Sequence, residues 1–417
     1  KKLLPEMKEI WDFEERDEFG WTPLHLIARS GSIDIISTLY NEVPNIDKDI
    51  KTSAGSSVTL IAAKFGKISL LEWLLENGGS LEDRDNYGIS PLLSAVYNGH
   101  LRTAKWLVQK GCLLNERTKS GNSSLLIAAE KGHINIIKWC LEMECSLNEV
   151  NNLGENCMMR AAIGGKLKTI KWLHQKGCNL DFKSVKGTTP LLCASNRKKL
   201  KVVQWFLQNG CDIHETNDLG MTCLLYAARG GRKKNIKYLL SKGSSLKEES
   251  NPGSDCLLLA CAGGHLELVK WFVKQGCSLG KVTNCGTTPM MCATLNGHLE
   301  TMKWLYSQGC SLDVKNNYSN TCLTKASSKG HLNVIKWLVE NGCSLEETDI
   351  NGTCIMNAAM NKHLDVVLWM LSNGSSLEEN TKLDVGGNVV TSNISCADML
   401  KQNGQFEEIK SIFSAKS

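Results

Sequence analysis

An all-α solenoid is the fold class this sequence predicts, and three observations predict it. Trp73, Trp106, Trp139, Trp172 and Trp205 stand 33 residues apart; Tyr238 takes the next place, Trp271, Trp304 and Trp337 continue the series, and Trp369 follows after 32. Gly88, Gly121, Gly154, Gly187, Gly220, Gly253 and Gly286 form a second ladder with the same period. Within each period the residues read as turn, helix, tight turn, helix. Self-similarity of this length marks stacked supersecondary units, so one array is expected where 417 residues would ordinarily suggest two or three domains.

The elements follow in order. The opening KKLLPEMKEIWDFEERDEFG lacks an initiator Met and reads as the tail of a structural unit, so the chain is expected to be a fragment with residues 1–16 a partial repeat. In the first full repeat Gly20 suits a left-handed turn, Thr22 stands as an N-cap and Pro23 as the first helical residue. Gly31 then closes the first helix as a C-cap. A second helix ends at a further glycine, as at Gly111 and Gly177. Helices this short are marginal alone, so stability must come from stacking. Tandem repeats are assigned to residues 17–380, with a two-residue excess around Asp49 to Lys51. Residues 381–417 are assigned to an extended hairpin, TKLDVGGNVVTSN at 381–393, followed by a polar capping repeat at 395–413.

The stretch DEFGWTPLHLIARSG (17–31) resembles the ankyrin repeat in its period and its T-P-L-H signature. The signature is intact only at Thr22 to His25; later repeats keep Thr189-Pro190 and Thr288-Pro289 or place Cys in the proline slot. The resemblance spans nearly the whole chain, about eleven full repeats with terminal half-repeats. It implies an all-α ankyrin-repeat solenoid with short hairpin-like connections and no catalysis. It also implies a partner bound in a concave groove bordered by hairpin tips and the ends of the first helices.

Fifteen of the eighteen cysteines fall in three slots of the repeat. Cys112, Cys145, Cys178, Cys211, Cys277, Cys310 and Cys343 stand in the slot that follows the close of the second helix, after a glycine in every case but Cys145, which follows Glu144. Cys157, Cys223, Cys256, Cys322, Cys354 and Cys396 take the proline slot, and Cys193 and Cys292 share a site inside the first helix. They read as small buried hydrophobes in a reducing compartment, the cytoplasm or the nucleus, and no C-x-x-C pair suggests zinc. His100, His133, His265, His298, His331 and His363 recur at the start of the second helix, where a local hydrogen bond is expected. Successive rungs would lie about 10 Å apart, too far to share a metal. No Ser, Cys or Asp keeps a fixed relation to one special histidine, so neither an enzyme nor a cofactor is expected. The Trp series is expected to pack between successive second helices. No run approaches eighteen apolar residues, so no membrane span is expected.

The array departs from its own pattern in three consecutive repeats. The histidine slot holds Lys166, Lys199 and Arg232. Two residues on, where Asp34, Asn135, Glu267, Glu300, Asn333 and Asp365 stand elsewhere, are Lys168, Lys201 and Lys234. Arg197, Lys198, Arg229 and Lys233 join them. Residues 151–249 carry 18 Lys and Arg against 7 Asp and Glu, a local charge of +11 in a chain of +5, which leaves the rest at −6. Cations in the first turn of a helix oppose its dipole by about 0.3–1 kcal/mol each, so stability does not explain them. These ten residues, with Phe19, Trp21, Tyr87, Ile89, Leu153, Leu219 and Tyr318 at the hairpin tips, are the candidate partner-binding set. The expected partner is another protein with an acidic segment. Nucleic acid is not expected, since no aromatics interleave the cations for base stacking. The alternatives are an anionic ligand, nucleic acid or lipid headgroup, on the basic stripe, or a regulatory array of a larger enzyme.

Overall fold

A computed structural model describes residues 15–43, 47–377, 383–385, 388–390, 395–407 and 409. The expectation for residues 1–14, and parts of those for the hairpin at 381–393 and the capping repeat at 395–413, lie outside the described residues. Among the described residues are 23 helices, almost all in pairs. The first pair, α1 (Pro23–Ser30) and α2 (Ile33–Glu42), sets the pattern. Thr22 caps α1 in an extended conformation, Pro23 opens it, and Gly31 ends it at φ 81°. All three roles are those expected from sequence.

The pattern then recurs as α3 (Val58–Lys64) and α4 (Ile68–Glu76), α5 (Pro91–Tyr97) and α6 (Leu101–Gln109), α7 (Ser124–Lys131) and α8 (Ile134–Glu142), and α9 (Cys157–Gly164) and α10 (Leu167–Gln175). It continues with α11 (Pro190–Ser195) and α12 (Leu200–Gln208), α13 (Cys223–Arg229) and α14 (Lys233–Ser241), and α15 (Cys256–Ala262) and α16 (Leu266–Lys274). The last pairs are α17 (Pro289–Leu295) and α18 (Leu299–Ser307), α19 (Cys322–Lys329) and α20 (Leu332–Glu340), and α21 (Cys354–Met360) and α22 (Leu364–Ser372), with α23 (Cys396–Gln402) closing the described helices.

The described residues form two compact bodies, one from those within 1–194 and 201–211, the other from those within 195–200 and 212–409. In each, first helices pack on the first helices of neighbouring repeats, while second helices pack mainly on their own partner. The first helices are therefore sealed almost all round: Leu125 to Ala129 of α7, and Leu257, Leu258, Ala260 and Cys261 of α15, are all buried. Second helices bury one stripe, as Val334, Ile335 and Leu338 of α20 do. Burial of each such aliphatic side chain is worth about 1.5–3 kcal/mol, enough to hold helices that propensity alone would not.

Polar groups fix the joints. The N-cap side chains of Ser57, Ser90, Ser123, Asn156, Thr222, Asp255 and Thr288 each accept from the backbone N–H three residues on. The hydroxyls of Ser57, Ser123 and Thr222 then donate to Asp83, Glu149 and Glu248 in the loop that follows the second helix. Within each body most neighbouring hairpins are stitched by a backbone bond, such as Lys119 N to Tyr87 O at 3.0 Å in the first and Asn284 N to Pro252 O at 2.9 Å in the second. One hairpin pairs as strands, β1 (Thr348–Asp349) with β2 (Gly352–Thr353). In the lengthened segment β3 (Leu383–Val385) runs antiparallel to β4 (Asn388–Val390), with Leu383 opposite Val390.

Trp73, Trp106 and Trp337 rest against the preceding second helix, as expected of the series. Trp73 meets Tyr40 at 5.2 Å between ring centroids, and Trp337 meets Tyr306 at 5.6 Å. Trp106 Nε1 donates to Glu72 at 3.1 Å.

Candidate partner-binding faces

The histidine slot is a joint between repeats, not the local contact expected from sequence. His100 Nε2 bonds Lys64 O at 3.0 Å, His133 bonds Tyr97 O at 3.1 Å, and His265 bonds Arg229 O at 3.0 Å. His298, His331 and His363 bond carbonyls of Ala262, Leu295 and Ser328 in the same way. Each ring reaches back to the end of the preceding first helix, passing over the glycine that ends it. A Cβ on Gly66 would fall 2.9 Å from the His100 ring, so the slot needs both the glycine and the ring.

The three basic replacements use that joint differently. Arg232 Nε donates to Asn196 O at 2.8 Å, the same backbone position a histidine would reach, and is half-buried. Burial, then the charge of Arg197, lowers its pKa. Lys166 lays its aliphatic stem over Gly132, whose Cβ would fall 2.9 Å from Lys166 Cδ. Lys199 is exposed. Lys168, Lys201 and Lys234 are exposed on the second helices α10, α12 and α14, beyond the joint.

Around Lys199 the chain itself changes course. Lys198 stands where other repeats have the left-handed glycine, and unlike Lys362 at the equivalent place, φ 63°, it does not adopt a positive φ. A side chain in that region is strained, so the chain takes another path: α11 is only 6 residues long and residues 196–199 form a bent loop. The carbonyls of Ser195, where α11 ends, and of Arg197 in the loop are held by Asn235, 1% exposed, whose Nδ2 donates to Ser195 O at 3.0 Å and Arg197 O at 2.9 Å. Sequence reasoning missed Asn235. The signal was there, since the same slot holds Ile136, Thr169, Val202, Leu268, Thr301 and Val334 in other repeats.

The second body therefore presents Arg197, Lys198, Lys199 and Arg229 exposed, with Arg232 anchored beside them and Lys233 and Lys234 opening α14. Lys233 Nζ lies 5.7 Å from the centroid of the Trp271 ring. Burial lowers the pKa of His265; the carbonyl of Arg229 opposes this, and the charges of Arg232 and Lys198 reinforce it.

The hairpin tips divide by exposure. Phe19, Tyr87 and Leu153 in the first body are 63%, 67% and 55% exposed, and Leu219 and Tyr318 in the second are each 52% exposed. Trp21 and Ile89 are half-buried. Val185 and Ile350, not singled out from the sequence, are exposed tip residues of the same kind. Beside the tips of the first body, the ends of the first helices form a cation–aromatic row. Arg29 lies over Phe65 at 5.3 Å, Lys64 over Trp21 at 5.6 Å, and Lys131 over Tyr97 at 3.9 Å. Glu130 joins Lys131 and Arg160; burial would raise its pKa, but the two cations outweigh it and hold the carboxyl below its usual range.

Cysteines in the proline slot are sealed: Cys157, Cys223, Cys256, Cys322, Cys354 and Cys396 are 0–1% exposed. Burial pushes the thiols of Cys157 and Cys256 well up, and that of Cys322 to about 12. Of the slot after the closing glycine, only Cys112 and Cys343 are buried; the other five are half-exposed, less hidden than expected. Cys285, at a hairpin tip, differs: the hydroxyls of Thr283 and Thr287, 3.1 and 3.2 Å from its Sγ, lower its pKa. Among the described residues no three His, Cys, Asp or Glu side chains could hold a metal, and no helix is long and apolar enough to cross a membrane.

Part of the chain is similar to a yeast protein. Over 96 residues it is 28% identical to the "Probable 26S proteasome regulatory subunit p28" of Saccharomyces cerevisiae, a match covering 22% of this chain and 41% of that protein's length. The family model for ankyrin repeats, described as three copies, matches in overlapping windows from residues 1–85 to 308–382. Paired short helices, glycine-ended turns and stitched hairpins are the structural form of that match, and the chain belongs to the ankyrin repeat family, whose members are in general non-enzymatic protein-interaction modules.

Proposed function

We propose that this chain is a protein-interaction scaffold that holds an acidic segment of its partner on cationic turns and apolar side chains on its hairpin tips. The observation that carries this is the turn at 196–199 in the second body. Arg197, Lys198 and Lys199 are exposed there beside Arg229, and none of the four forms an ion pair among the described residues. The turn forgoes the glycine and histidine used elsewhere and needs a buried asparagine to satisfy its carbonyls, a structural cost that a binding role explains. Exposed Leu219 and Tyr318 supply apolar anchors in the same body, and Phe19, Tyr87 and Leu153 do so in the first. A relative named as a regulatory subunit is in keeping with binding rather than catalysis. The reading includes a reducing, cytoplasmic setting, supported by the six sealed proline-slot thiols.

The test uses oligoglutamate as the acidic probe and heparin as a sulfated control. Wild type should bind oligoglutamate with a steep salt dependence, and Arg197→Glu/Lys199→Glu/Arg229→Glu should weaken binding about 100-fold while circular dichroism stays unchanged. All three side chains are exposed and make no structural bond, so a folded variant is expected. Equal binding by both proteins sinks the proposal, and retention on heparin but not on oligoglutamate redirects it to a sulfated or phosphorylated ligand.

A further inference from the structure

We infer that the second-helix face of the first body is an electrostatic docking surface for an anionic phospholipid membrane. The inference stands apart from the partner-binding turns, because it concerns different side chains on different elements.

A lysine precedes the ladder aromatic in most repeats: Lys105, Lys138 and Lys171 in the first body, and Lys237, Lys270, Lys303 and Lys336 in the second. The second body neutralises part of its row. Lys270 pairs with Glu267 and Lys303 with Glu300, each at 2.9 Å and one turn apart on the same helix. In the three first-body repeats that carry this lysine, the slot of those glutamates holds Arg102, Asn135 and Lys168 instead. Arg102 and Lys105 on α6, Lys138 on α8, and Lys168 and Lys171 on α10 are all exposed, and none forms an ion pair among the described residues. Packed helices lie about 8–10 Å apart, so five uncompensated cations recur at roughly that interval on one face. That spacing is close to the Debye length of about 8 Å in physiological salt, so the charges act together on a nearby polyanion.

The chemistry of the face selects the occupant. Four of the five cations are lysines, point charges without the planar fork that reads carboxylate or phosphate pairs. Lysine is also depleted from ordinary protein interfaces. No large apolar side chain is exposed along α6, α8 or α10, which leaves attraction without insertion. Base stacking finds no open platform either: the half-buried rings of Trp106 and Trp172 have the ammonium groups of Lys110 and Lys176 at 5.6 and 5.8 Å. A broad anionic surface that attracts many lysines weakly and at once fits this pattern, as the negatively charged leaflet of a membrane does.

The experiment is co-sedimentation of the full chain with vesicles of phosphatidylcholine alone and of phosphatidylcholine mixed with phosphatidylserine. Binding is expected only to the mixed vesicles and should fall steeply as salt rises. Each lysine near an anionic surface contributes about fivefold, so Lys105→Glu/Lys138→Glu/Lys171→Glu should reduce vesicle partitioning at least about 100-fold. The variant with Arg197, Lys199 and Arg229 reversed should bind vesicles within about twofold of wild type, which separates this face from the turns. Absence of binding to mixed vesicles, or equal binding by the helix-face variant with its circular dichroism unchanged, overturns the inference. Tighter binding to duplex nucleic acid than to vesicles, lost in that same variant, also overturns it and gives the face to nucleic acid.

Discussion

His25 shows how one side chain can carry both a cap and a joint. Its Nδ1 accepts from Thr22 N at 3.1 Å, and its Nε2 donates to Ser56 O at 3.2 Å in the next repeat, so the neutral ring is fully used. Burial, reinforced by Arg16, lowers its pKa from the usual 6.5 despite the Ser56 carbonyl. His265 is lowered as well, first by burial and then by Arg232, His298 and Lys198. The sign follows from proton binding: below pH 6.5 the unfolded chain takes up protons that these two native sites refuse. Stability from both is complete above 6.5 and is lost as pH falls from there toward the lowered native values. Urea unfolding should therefore show a lower midpoint at pH 5.5 than at 7.5, and His25→Gln should flatten part of that slope. An unchanged slope in the variant would remove His25 from the account.

At the scale of elements, the repeat was legible because its signals are local and redundant. Thr22, Pro23 and Gly31 each specify one end of α1, and the 33-residue register carries that specification through the array. The turn at 196–199 was legible only in part. Four basic residues in a run of six announced a change, but not that α11 would stop at Ser195 or that Asn235 would bond across to it. The compensation comes from a side chain about forty positions away, which no local pattern reveals. Lys168, Lys201 and Lys234 read in sequence as one stripe with Lys166, Lys199 and Arg232; the structure separates the slots, with joints at one and exposed second-helix faces at the other. The Asn235 bonds give a direct test. Asn235→Val copies the residue of Val202 and Val334 and suits the burial, yet leaves the Ser195 and Arg197 carbonyls without their donor. A loss of about 1–3 kcal/mol is expected in chemical denaturation, with faster amide exchange in residues 195–200. Stability equal to wild type would mean that the loop satisfies those carbonyls another way.

At the scale of the whole molecule, stability in a repeat array is a sum of repeat and interface terms, so opening need not be uniform along the chain. The cysteines report it without added probes. Cys157, Cys256, Cys322 and Cys396 sit at the first position of a first helix, 0–1% exposed, and their thiols stay shielded until that helix leaves its neighbours. Cys285 is the counterpoint, half-exposed at a hairpin tip with its pKa lowered by Thr283 and Thr287. A chromogenic disulfide reagent at neutral pH should modify Cys285 at least about tenfold faster than any of the four, because thiolate and access are both needed for attack. Among the four, Cys396 in the last described helix should react ahead of Cys256, whose helix α15 packs between α13 and α17. Peptide mapping of alkylated sites against time reads the order directly. Simultaneous modification of Cys256 and Cys396 would indicate one cooperative opening, and modification of either at the rate of Cys285 would contradict their burial. The ordering also bears on binding, since a repeat that opens early holds its hairpin tip in place for less of the time, and interior tips such as Leu219 would then offer the firmer anchors.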